Sequence, residues 1–86
     1  MLIPIKVTKY RLVQPTAIEC IPYAENENVR CIVTYNNGEN RTALGKSEHE
    51  AIEIFNAYFK AVKAKKRCFD YVEYEKERAA ILKKIT

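Results

Sequence analysis

Between positions 60 and 67 the chain carries Lys60, Lys63, Lys65, Lys66 and Arg67, five cations with no acidic residue among them. Cations at that density can neutralise successive phosphates of a polyanion and release its counterions, or can form a hydrated face and nothing more. Residues 1–59 hold six Lys or Arg against seven Asp or Glu, whereas from position 60 onward nine basic residues stand against four acidic ones. The formal net charge of +4 is therefore concentrated in the last third of the chain. Lys46, Arg30 and Arg41 are the other cations placed to extend a phosphate track, with Tyr10 or Tyr23 as stacking partners. Phe69, Tyr71 and Tyr74, interleaved with charge, offer stacking too, although their simpler role is to bury a second helix.

Chemistry that makes or breaks bonds finds little to work with. His49 is the only histidine, and beside Glu48 and Glu50 in the first turn of a helix it reads as a solvated surface residue. Glu48 and Glu50, two positions apart, do not face each other on a helix, so they make no acid/base pair. Gly38 and Gly45 are the only glycines, too few for a loop that cradles phosphate. Cys20, Cys31 and Cys68 are odd in number and lack C-x-x-C spacing, which argues against a disulfide framework and a zinc site. They read as reduced thiols acting as small buried apolar residues. No catalytic residue, metal ligand or cofactor is expected, and an enzyme is disfavoured.

The cations end a helix that the sequence announces. Ser47 and Glu50 have the S-x-x-E spacing of a capping box, with the serine oxygen taking a first-turn amide and the glutamate reaching back to the serine amide. Ile52, Phe55, Phe59 and Val62 recur at three and four residues, bringing Ala51, Tyr58 and Ala61 alongside. Glu53, Asn56, Lys60, Lys63 and Arg67 line the opposite side, acidic first and basic last, in the sense that suits the helix dipole. Asp70 and Glu73 repeat the capping spacing, and Tyr71, Tyr74, Ile81 and Ile85 can line one face of a helix over about 71–85. Two helices are favoured over one continuous helix, although residues 65–69 contain no Gly or Pro to force the break.

Ahead of that helix lie strands. Residues 2–13 read as a strand with Ile3, Ile5 and Val7 on one parity and Tyr10 and Leu12 on the other, so a bulge or break belongs near Thr8 and Lys9. Pro4 suits a strand start or an edge, and Gln14-Pro15 reads as a turn. A second strand over 16–23 runs into a polar loop at 24–28. Over 29–36, Val29, Cys31, Val33 and Tyr35 alternate with Arg30, Ile32 and Thr34. Asn37-Gly38 then marks a type I′ hairpin, which sets Thr34 against Arg41 and Cys31 against Leu44 in a return strand over 39–44. Val33, Cys31 and Leu44 fall on the buried face, and Arg30, Thr34 and Arg41 on the exposed one.

Eighty-six residues at 48% apolar content describe one small domain, 1–86, with room for a modest core. No apolar run approaches the roughly 18 residues of a membrane span, and the first residues lack the pattern of a secretory signal, so a cytoplasmic protein is expected. The expected fold is α+β: a three- or four-stranded antiparallel sheet packed on a long C-terminal helix, with a second short helix.

Residues 16–64 resemble the second half of a double-stranded-RNA-binding domain: strand, hairpin, strand, then Leu44-Gly45-Lys46-Ser47 and Ala51 opening a helix. In that family the third strand ends in a glycine-and-serine segment, a basic pair opens the final helix, and an alanine packs it on the sheet. The resemblance implies RNA binding and carries Lys46 over as a phosphate contact. Glu48 and His49 stand where the family has its basic pair, and the family's first helix is absent. The phosphate grip would then move to Lys60, Lys63, Lys65, Lys66 and Arg67. A family of small antitoxins with a partial ribonuclease-H fold is similar in its sheet and in its glycine followed by an acidic helix start. The leading reading is a small basic non-enzymatic RNA-binding protein without sequence specificity, of phage-accessory type, acting as an RNA-dependent, antitoxin-like inhibitor of a nuclease. The alternative is an inhibitor or adaptor that docks on an acidic partner protein without nucleic acid. Partners on these readings are RNA, a toxin nuclease or other protein, and a second copy of the chain.

Overall fold

The computed structural model describes residues 1–25 and 27–85. The loop assignment of Asn26 and the facing of the Ile85 side chain lie outside the described residues. In chain order the elements are β1 (Ile5–Thr8), β2 (Arg11–Val13), β3 (Pro15–Pro22), β4 (Val29–Tyr35), β5 (Asn40–Leu44), α1 (Glu48–Lys63), β6 (Phe69–Asp70) and α2 (Tyr71–Ile85). The fold is α+β. Strands β3-β4-β5 form the antiparallel three-stranded sheet that covers α1, and β2-β1-β6 form a second three-stranded sheet that the sequence did not announce.

The second sheet exists because residues 2–13 reverse direction. The parity change between Val7 and Tyr10 marks a turn at Lys9-Tyr10, where the Tyr10 amide donates to the Thr8 hydroxyl at 3.3 Å. β1 and β2 pair antiparallel across it, with Ile5 opposite Val13 and a register shift between Lys6 and Thr8. Gln14 is no turn; it is the single residue at which the chain leaves β2 and enters β3 in the other sheet. β6 was not expected. It is two residues long and pairs parallel with β1, Ile5 opposite Phe69, while the Phe69 amide donates to Pro4 O at 2.8 Å.

The β4–β5 register is the one the hairpin signal requires: Thr34 opposite Arg41 and Cys31 opposite Leu44. Asn36, Asn37 and Gly38 all take positive φ, and the Glu39 amide closes the turn on Asn36 O at 3.1 Å. Asn tolerates the left-handed region better than most residues, and Gly adopts it freely.

Ser47 caps α1 by accepting from the Glu50 amide at 3.1 Å. The Glu50 carboxylate reaches back to the amide of Lys46, one residue before the expected Ser47, at 3.2 Å. Ala51, Ile54, Tyr58 and Ala61 are the buried stripe, with Phe55, Phe59 and Val62 half-buried beside it. Ile52, expected in the stripe, is 46% exposed. It sits about 200° around the helix axis from Ile54. Ala51 is fully buried, its carbonyl 3.9 Å from the Cys20 Sγ of β3.

Tyr58 joins the layers. Its ring packs edge-on against Phe69 at 5.8 Å, and its hydroxyl both accepts from the Ile3 amide and donates to the Ile3 carbonyl, each at 2.7 Å. The core gathers Ile5, Val13 and Phe69 from one sheet and Ile18, Cys31, Val33 and Leu44 from the other. Asp70 caps α2, its Oδ1 accepting from the Glu73 amide at 3.0 Å, as the spacing predicts. Tyr71 and Tyr74 pack against the core, whereas Ile81, expected on the same buried face, is 59% exposed.

Candidate nucleic-acid interface

The helix break that the sequence left without a cause is a Schellman motif. The Lys66 amide donates to Ala61 O at 3.1 Å and the Lys65 amide to Val62 O at 3.0 Å, with Lys65 at φ +58. That geometry satisfies carbonyls of the last turn and ends α1 without glycine. A left-handed lysine costs roughly 1–2 kcal/mol relative to ordinary backbone.

Around this knuckle Lys60, Lys63, Lys65, Lys66 and Arg67 are all exposed. Among the described residues none of the five forms an ion pair; the pairs present are Lys6–Asp70, His49–Glu53 and Arg78–Glu53. Lys60 and Lys63 also sit at the negative end of the α1 dipole, which favours them there whether or not a ligand binds. Beside the knuckle a groove of about 450 Å³ runs between α1 and α2. Lys60 and Lys66 flank it from one side, and Asp70, Glu73 and Glu77 from the α2 side. The groove is thus lined by charges of both signs, and Asp70 is itself paired with Lys6 at 3.8 Å.

The other three predicted cations are not part of this surface. Lys46 precedes the opposite end of α1, about 24 Å away along a 16-residue helix. Arg30 and Arg41 lie on the sheet face turned away from α1. The Arg30 guanidinium donates to its neighbour's carbonyl, Val29 O, at 3.3 Å, and that of Arg41 lies 5.7 Å from the centre of the Tyr23 ring. On that same face Ile32 is fully buried, flanked in register by Glu19 and Ala43. The sequence places Ile32 on an exposed face. The signal that could have found it is the unbroken apolar run Cys31-Ile32-Val33, a pattern of strands covered on both sides.

A second group of cations and rings was only partly read. At the β1–β2 tip Tyr10 is 89% exposed, Lys9 lies 5.5 Å from its ring, and Arg11 stacks on Tyr35 at 5.3 Å while donating to the Tyr35 hydroxyl at 2.8 Å. The run Lys9-Tyr10-Arg11 carries the composition of a stacking platform. Phe69 is buried and Tyr71 and Tyr74 are half-buried against the core, so their rings bury the second helix. Burial is the leading reason that the Tyr71 phenol is pushed up, and its hydroxyl accepts from the Gly45 amide at 3.2 Å. His49 is a surface residue, 2.9 Å from Glu53.

The chain is thus an α+β protein in which five of the fifteen basic residues gather at the end of α1. It matches no protein-family model, no curated protein and no solved structure. No helix of the described residues is long and apolar enough to cross a membrane.

Proposed function

We propose that this protein is a non-enzymatic RNA-binding protein that contacts backbone phosphates through Lys60, Lys63, Lys65, Lys66 and Arg67. The observation that carries the reading is five exposed cations around one helix end, none held by a carboxylate. Phosphate contact of this kind is blind to sequence, because every nucleotide presents the same anion. The exposed Tyr10, between Lys9 and Arg11, supplies stacking to an unpaired base.

Binding to labelled single- and double-stranded RNA and to DNA of equal length, at two salt concentrations, tests it. The slope of log affinity against log salt should be about −0.7 to −0.9 per phosphate contacted. Changing all five cations to Ala should flatten that slope and cut affinity while the melting temperature stays near that of the parent. Absence of binding at low salt sinks the reading and leaves the acidic partner protein as the ligand of the same cations.

A further inference from the structure

β3 and β4 set two of the three cysteines directly opposite each other, Cys20 and Cys31 being Cα partners in antiparallel register. Antiparallel partners are of two kinds, and the non-hydrogen-bonded kind brings the Cα atoms to about 4.5 Å with the side chains closer. Two observations identify the kind here. Thr34 O accepts from the Thr16 hydroxyl of β3 at 3.2 Å, so the even-numbered residues of β4 turn their peptide groups toward β3 and Cys31 turns its own away. Pro22, opposite Val29 two residues along from Cys20, has no N–H and so belongs to the same non-hydrogen-bonded phase, its nitrogen on the open edge. Both thiols leave the same sheet face: the Cys20 Sγ donates weakly to Ala51 O of α1 at 3.9 Å, and Cys31 is buried in the core beneath that helix. The spacing lies within the range of about 4.4–6.8 Å between Cα atoms that a disulfide spans.

We propose that Cys20 and Cys31 form a cross-strand dithiol, a modification site that small-molecule disulfides oxidise to an intramolecular disulfide bond. Cys20, half-buried, reacts first. It loses its proton to solvent and its thiolate attacks one sulfur of the small disulfide; that S–S bond breaks, one thiolate leaves and takes up a proton, and Cys20 carries the other half. Cys31 then gives up its proton, attacks the Cys20 sulfur and expels the second thiol. The protein loses two hydrogens and the reagent is reduced to two thiols. Burial, and then the neighbouring Cys20, push the Cys31 thiol up to about 12, and burial raises Cys20 as well, so closure accelerates as the pH rises. The bond ties β3 to β4 under α1 and removes the Cys20 donor from Ala51 O. Cys68, beside the α1–α2 groove, lies in no strand pair with another cysteine.

The test is incubation of the reduced full chain with oxidised glutathione at mildly alkaline pH, followed by thiol titration, intact mass and non-reducing peptide mapping. Expected are loss of two thiols from the Cys20–Cys31 pair, a linked peptide joining them within one chain, no glutathione kept on either, and a melting temperature that rises and returns on reduction. Cys20→Ser, at the half-buried position where folding is least at risk, should abolish the linked peptide and the melting shift. A stable glutathione adduct on Cys20 with Cys31 free overturns the proposal, as do chains joined to each other through Cys20, or reaction confined to Cys68.

Discussion

Tyr58→Phe removes one oxygen atom and tests the joint on which the layers meet. The residue is 1% exposed, and its hydroxyl makes two bonds of 2.7 Å to the peptide groups of Ile3, one as acceptor and one as donor. The ring keeps its edge-on contacts with Phe59 and Phe69, so the change opens almost no cavity. Each lost bond is worth about 1 kcal/mol, and peptide groups left dry add to that. Ile3 is half-buried, so water recovers part of the second contribution. The sum is about 2–3 kcal/mol. In a domain of this size that lowers the melting temperature by about 10–20 °C. Thermal unfolding followed by far-ultraviolet circular dichroism reads it, with Tyr35→Phe as the control, since that hydroxyl makes a surface bond to Arg11 and its loss should stay within about 0.5 kcal/mol. Hydrogen exchange at the Ile3 amide should quicken in Tyr58→Phe alone. A melting shift under about 3 °C, or one equal to that of the control, would refute the view that this hydroxyl ties the N-terminal segment to α1.

Three further outcomes follow from particular contacts. Ile32→Ala should cost about 2–4 kcal/mol in denaturant unfolding, because the residue is fully buried on the sheet face away from α1; a loss below about 0.5 kcal/mol would mean that face is wet. Lys65→Gly should stabilise by about 1 kcal/mol by relieving a left-handed lysine at the end of α1, whereas Lys65→Ala, which removes the same charge and keeps the strain, should not; equal effects would remove the conformational explanation. Glu53 titrates below the ordinary glutamate range, chiefly through its bond from Arg78, so its contribution is present above about pH 4.3 and is lost as the pH falls through its lower folded-state value. Native protein should therefore melt above Glu53→Gln at neutral pH, with the gap narrowing as the pH falls below about 4.3, and a gap that does not narrow in acid would break the linkage.

Much of the local structure was legible because short-range physics decides it. Asn37-Gly38 fixes the β4–β5 register, Ser47 and Asp70 start the two helices, and the cations at the end of α1 are a run in the chain. The end of α1 was harder to read, since Lys65 adopts a conformation that sequence assigns to glycine. Ile52 has the right spacing from Phe55 and Phe59, but those rings are only half-buried beside the stripe of Ile54 and Tyr58, and Ile52 lies beyond them toward solvent.

By itself, then, the sequence determined the hairpin register, the helix starts, the α+β class and the five-cation run, all set by contacts within a few residues. Only the tertiary structure decided that residues 2–13 fold back as a hairpin, that a two-residue strand after α1 joins it in a second sheet, and that Ile32, on the sheet face away from α1, is fully buried. It also set Cys20 against Cys31. These depend on which strand finds which neighbour, and that choice is made by burying Ile5 together with Tyr58 and Phe69, residues more than fifty positions further along that carry no mark of it in the chain.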